Sequence, residues 1–167
     1  MKLIRIFEAA LLVMFLVSCA SKPKPEVDAL GLRLASDGFS TISFNVIKVT
    51  TGDKVEYIVN GVLDYEAPGP LKIKLDKDKP MFVAIQDEVE NLIPIEGKYK
   101  YIPKKVSEGT RILHIQSHEY KVTKEVLERM SVARRVVVRI PASPHKDGGF
   151  DGVMRTAQKN LLIDFID

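Results

Sequence analysis

Alternation with a period of two runs through most of this chain and limits the fold more than any other feature. Ile42, Phe44 and Val46 are separated by Ser43 and Asn45, and Val55, Tyr57 and Val59 alternate with Glu56 and reach Asn60. Successive side chains of a strand point to opposite faces, so each run reads as a strand with one buried face. Thr50-Thr-Gly-Asp53 lies between them and supplies turn chemistry, which predicts an antiparallel hairpin. Asn60-Gly61 predicts a tight turn, with Val62 and Leu63 opening a return strand. Pro68-Gly-Pro70 breaks the chain. Leu71-Lys-Ile-Lys-Leu75 then alternates cleanly, Asp76-Lys-Asp-Lys-Pro80 is a charged turn, and Met81 to Gln86 is expected to pair back. Glu96 to Ile102 and Thr110 to Gln116 add further strands. Such a succession predicts an antiparallel sheet with one wet face, or a sandwich of two.

The last third changes period. Thr123 is a good N-cap with Glu125 in the turn that follows, Val122, Val126, Met130 and Ala133 recur at helical spacing, and Arg134 and Arg135 sit at the dipole-favoured end. Val136, Val138 and Ile140 restore alternation until Pro141, where the strand is expected to stop. Pro144 to Gly152 reads as a loop. Phe150, Val153, Met154, Ala157 and Leu161 predict one stripe of a closing helix, which should end before Asp164 because that residue falls on the same stripe. The fold class expected is α+β: an antiparallel sheet or sandwich with a C-terminal helix–strand–helix segment.

The first residues follow a different logic. Met1-Lys-Leu-Ile-Arg5 is basic and Ala9 to Val17 is apolar, but nine residues fall far short of the ~20 that span a bilayer. Leu16-Val17-Ser18-Cys19 follows, and Cys19 is the only cysteine in the chain. This stretch resembles the lipobox of bacterial lipoproteins of the signal-peptidase-II type. The resemblance implies a diacylglycerol on the Cys19 thiol, a leader cut away before it and an acylated new amino group. Acyl chains at roughly 0.8 kcal/mol per buried CH₂ make a firm anchor. Residues 1–18 are then a signal peptide, 19–26 the lipidated cysteine and a proline-stiffened tether that holds the domain off the bilayer, and 27–167 a single globular domain. Lys22 and Lys24 of the tether are expected near the head groups.

Two further resemblances bear on the domain. Lys24-Pro-Glu-Val27 through Val46, followed by Tyr57-Ile-Val-Asn-Gly61, is similar to the opening of late-embryogenesis-abundant type 2 domains, which implies an immunoglobulin-like sandwich. The Asn-Pro pair usual in that family after its long strand is replaced here by Val46 to Gly52. Val59-Asn-Gly, Pro70-Leu-Lys-Ile-Lys-Leu75 and Val83-Ala-Ile85 resemble PEGA-type surface repeats. Both families are binding or structural modules.

Few residues suggest catalysis. His114 and His118 are four apart, a metal-pair spacing on a helix but not on a strand, where the rings would stand ~13 Å apart. They are expected at a surface or interface, and His145 sits alone. Asp147-Gly-Gly-Phe-Asp151-Gly lacks the alternate oxygen ligands and distal glutamate of an EF-hand-type loop, and reads as a turn into the last helix. Asp87, Glu88, Glu90 and Glu96 are the carboxylates a hydrolase would draw on. With one cysteine there is no intramolecular disulfide and no thiolate cluster, and no metal or cofactor is expected. A net charge of +3 is too small to argue for nucleic acid.

The most distinctive surface feature is Lys98-Tyr-Lys-Tyr-Ile-Pro-Lys-Lys105. Alternation puts Lys98 and Lys100 on one face of a strand and Tyr99 and Tyr101 on the other, a lysine face over a tyrosine-lined core. Lys98, Lys100, Lys104 and Lys105 are the candidate contacts for a partner or for head groups. Arg134, Arg135 and Arg139 extend that surface if the two strands are neighbours. The function expected is non-catalytic: a lipid-anchored envelope protein at the periplasmic or outer surface that binds or assembles with an envelope protein. Ala20 after the cysteine favours the outer membrane if the host is a diderm. The alternatives are an envelope hydrolase using surface carboxylates and a stress-related structural lipoprotein.

Overall fold

A computed structural model of the chain describes residues 23–36, 40–106, 110–145 and 147–167. The leader, Cys19 and residues 20–22 of the tether lie outside them. The first sheet is built from β1 (Glu26–Ser36), β2 (Ser40–Thr51), β3 (Lys54–Pro68), β7 (Lys100–Lys105) and β8 (Arg111–Val122), in the spatial order β1-β2-β3-β8-β7. The second runs β10-β9-β5-β6, from β5 (Met81–Ile85), β6 (Glu88–Leu92), β9 (Val136–Ser143) and β10 (Gly149–Val153). A two-residue strand, β4 (Lys74–Leu75), pairs with β9 further along. Every pairing is antiparallel. Among the described residues the helices are α1 (Lys124–Val132) and α2 (Thr156–Ile166), which pack against each other. The fold is α+β, as the change of period predicts.

The inner faces of the sheets meet. Phe44, Val46, Val59 and Leu63 of the first sheet, and Met81, Val83, Val138 and Ile140 of the second, are fully buried. Leu127 and Met130 of α1 and Leu162 and Ile166 of α2 complete the core. The β2–β3 hairpin forms where expected, with Gly52 at φ +61° in its turn. Thr123 caps α1, its hydroxyl accepting from the Val126 amide at 3.4 Å.

Several boundaries differ from the sequence reading, each for a physical reason. Asn60-Gly61 is not a turn: both lie mid-strand in β3, and Gly61 leaves room for the Met81 side chain, into which a Cβ would collide. Leu71–Leu75 does not pair with β5. Only Lys74 and Leu75 join a ladder, with Ser143 and Ala142, while β5 takes β6 and β9 as neighbours. The strand expected at Glu96–Ile102 lies at Lys100–Lys105, and β8 runs on to Val122. Pro141 does not end β9. It is buried inside the strand, and its carbonyl accepts from the Asp76 amide at 2.9 Å. Part of the predicted 144–152 loop is β10, held to β9 from Gly149↔Pro141 to Val153↔Val137, so the C-terminal segment is helix–hairpin–helix.

The last helix also has a different phase. It begins at Thr156, buries Lys159, Leu162 and Ile166, exposes Leu161 and continues past Asp164. A charged residue sits on the buried face because the Lys159 ammonium donates to the Ala133 carbonyl at 2.8 Å and the Arg134 carbonyl at 3.3 Å. Those carbonyls lie at the C-terminal end of α1, where orphan acceptors and the helix dipole favour a cation.

Candidate functional site

The interior of the first sheet is not uniformly apolar. β8 turns His114, Gln116, His118 and Tyr120 inward, all nearly or fully buried, and leaves Leu113 and Ile115 half-buried on the outer face. These polar side chains hold the segment that runs from Pro70 to Lys79. Gln116 accepts from the Leu75 amide at 2.9 Å and from the Tyr99 hydroxyl at 3.0 Å, and its amide donates to the Ile73 carbonyl at 2.9 Å. The Tyr65 hydroxyl accepts from the Lys72 and Ile73 amides, both at 3.0 Å. His118 Nε2 lies 3.0 Å from the Lys77 carbonyl, which can only accept, so that nitrogen carries the proton. Side chains here replace most of a backbone ladder.

Aromatic rings surround this seam. Tyr65 stacks on His114 with centroids 4.9 Å apart, and the Tyr101 hydroxyl meets His114 Nδ1 at 2.9 Å. His118 packs edge-on against Tyr120 at 5.1 Å. Burial raises the pKa of the Tyr99 hydroxyl, with Tyr101 and Tyr65 adding to the shift. Burial raises Tyr120 further, helped by the Asp76 carboxylate. Both phenols therefore stay protonated. His114 Nε2, His118 Nδ1 and the Tyr120 hydroxyl are buried without a hydrogen-bond partner. The two histidines are thus core residues, a correction to the surface placement expected, and Tyr–His–Gln packing explains why the core accepts them.

The seam was not legible as a site. Its signal is a strand whose alternate positions 114, 116, 118 and 120 are all polar or aromatic beside an aliphatic pair at 113 and 115. Hydrophobic pattern alone would turn that strand the other way round.

The lysine run lies on β7, an outer edge of the first sheet. Lys100 and Lys104 pair across from Ser117 and Leu113 and share the outer face, while Lys105, opposite Ile112, falls on the other. Lys98 pairs with Glu119 at 3.6 Å. Lys100, Lys104 and Lys105 have no ion pair among the described residues. Tyr99 is half-buried, but Tyr101 keeps 37% of its surface, so the tyrosine layer is only partly inside. Lysines and Pro103 on an unpaired edge also discourage strand addition.

The arginines do not extend this surface. Arg139 lies in the other sheet and forms a two-pronged pair with Asp151 at 2.6 and 2.7 Å, which holds the Asp151 carboxyl below its ordinary range. Of the candidate carboxylates, Glu88 and Glu90 are both gripped by Arg129 of α1, the latter at 2.5 Å. No group of three or more His, Cys, Asp or Glu is placed to hold a metal among the described residues.

An open cleft of about 950 Å³ lies at one end of the domain. It lies between the β2–β3 turn end, the start of α1, the last turn of α2 and the chain after β6. Val55, Tyr57, Leu92, Ile93, Val126 and Ile166 supply its apolar lining. The rim mixes both charges, with Lys48, Lys121 and Lys124 against Glu56, Glu90 and Glu125.

The fold and this seam define an α+β domain of two antiparallel sheets around an apolar core, with buried polar side chains of the first sheet holding the 72–77 segment. No family model matches the chain, and no curated protein or solved structure matches it either.

Proposed function

We propose that this protein is a lipid-anchored protein of the bacterial cell envelope, whose domain binds a partner protein there rather than catalysing a reaction. The observation that carries the reading is Leu16-Val17-Ser18-Cys19 behind a basic and apolar leader, with the chain's one thiol at the position where the lipid would attach. An anchor confines the domain to a thin layer, which raises its effective concentration for any partner in that layer to the order of millimolar. Lys100, Lys104 and Lys105 offer exposed cations for an acidic partner, and Ala20 favours the outer membrane in a diderm host.

Cys19→Ala tests the anchor. The variant should leave the membrane fraction or persist as an uncleaved precursor, and its intact mass should lack acyl chains. Normal processing, with carbonate-resistant membrane association retained, would remove the reading. In-cell crosslinking tests the partner: a dominant crosslinked protein should be lost when Lys100 and Lys104 are both changed to Glu.

A further inference from the structure

Resting on the anchor reading above, we propose that the cleft end of the domain faces the bilayer, with the exposed aliphatic side chains Val27, Val55 and Ile93 set against lipid. Pro23 already lies against the β2–β3 turn, since a Cβ placed on Gly52 would stand 3.6 Å from the Pro23 Cγ. Glu26 is already paired with Thr50, and Thr50 with Val55. The chain therefore lies on the domain from Pro23 onward, four positions after Cys19. That is a span of at most about 14 Å even if fully extended. Whatever orientation the domain takes, this end stays close to the lipid joined to Cys19.

The same end is the one that opens. Val55 lines the cleft beside Ile93, whose carbonyl accepts from the Lys121 amide near the bottom of β8. Val27, Val55 and Ile93 keep 60%, 44% and 58% of their surface. Val55 and Ile93 line the apolar-floored cleft, and Val27, opposite Val49, stands on the other face of the same sheet end, so this end gains from leaving water on both sides.

Charge does not supply the attraction. Lys54 pairs with Glu56 and Lys124 with Glu128, and Glu26, Asp28 and Asp53 offset Lys24, Lys48 and Lys121. Docking through this end should therefore depend on apolar contact and not on anionic lipid.

The test uses the full-length protein reconstituted in phosphatidylcholine vesicles with brominated acyl chains. Val27→Cys, Val55→Cys and Ile93→Cys variants carry one environment-sensitive fluorophore each, the Cys19 thiol being blocked by its lipid. Ile102→Cys and Val132→Cys serve as controls. Both positions are well exposed, and Ile102 pairs with Ile115, six positions along β8 from Lys121 and so ~20 Å away. The three cleft-end labels should be blue-shifted and quenched several-fold more than the controls, with no change when phosphatidylglycerol is added. Equal quenching at all five positions, in protein whose mass shows the acyl chains, overturns the orientation and leaves the anchor standing. A mass without acyl chains overturns the anchor and the orientation together. Quenching that appears only with phosphatidylglycerol overturns the apolar basis of the docking.

Discussion

β8 and β9 lie on opposite sides of one interior and fill it with opposite chemistry. β9 turns Val136, Val138 and Ile140 inward, whereas β8 turns His114, Gln116, His118 and Tyr120. Apolar contact is non-directional, so the β9 face asks only for volume and tolerates neighbours of similar size. The β8 face makes directional bonds to Ile73, Leu75 and Lys77, and a group left unpaired there loses its solvation without recompense. The two strands divide the labour: β9 contributes to how stable the domain is, and β8 to where one irregular segment must lie.

Substitutions can break or sharpen that contrast. The largest effect is expected on the apolar side. Ile140→Ala removes a fully buried side chain packed across the sheets and should lower stability by about 2–5 kcal/mol, read from urea unfolding, with no change confined to one segment. Gln116→Ala should cost less, about 1–3 kcal/mol, because it orphans the Leu75 amide and the Ile73 carbonyl. Its signature is local: amide exchange at Leu75 should accelerate before global unfolding does. Uniform acceleration throughout the domain would erase the distinction between the two strands.

Smaller effects test polar groups outside the seam. Lys159→Met keeps the side chain's length and loses its two bonds to the end of α1, for a loss of about 1 kcal/mol with fraying at Ala133. The smallest stability change belongs to the outer face of β9. Asp151 is held ionised by Arg139, with its pKa lowered below the unfolded value. Its contribution is therefore present above the ordinary carboxyl pKa and is lost as pH falls through the lowered one. Because the pair is largely solvated, Asp151→Asn should cost under about 1 kcal/mol at neutral pH. The difference from the parent should shrink toward zero in acid, and a difference that grows on acidification would contradict the sign.

Much of the fold was legible from period alone. Alternation through 42–46 and 55–59 sets the long hairpin, and Thr123 with its helical stripe sets the start of α1, because both signals are local and each buries one face. What failed were signals that mean different things in different surroundings. Asn-Gly is a turn when nothing packs on the glycine, but in β3 the missing Cβ is needed by Met81. Pro141 normally ends a central strand, yet β9 accommodates it where the neighbouring segment donates to its carbonyl instead.

The candidate site divides along the same line. The basic and apolar opening, the one cysteine and the lysine run are features of sequence alone, since composition and charge are read residue by residue. That Lys100 and Lys104 share a face while Arg139 belongs to the other sheet was decided by strand order, which depends on contacts far apart in the chain. The buried histidines were decided the same way: one nitrogen of each ring is met, by Tyr101 and by the Lys77 carbonyl, partners that no local pattern connects to them. Tertiary structure alone brought Pro23 onto the β2–β3 turn and put Ile93 beside Val55, because burial and proximity are properties of the packed chain rather than of any stretch within it.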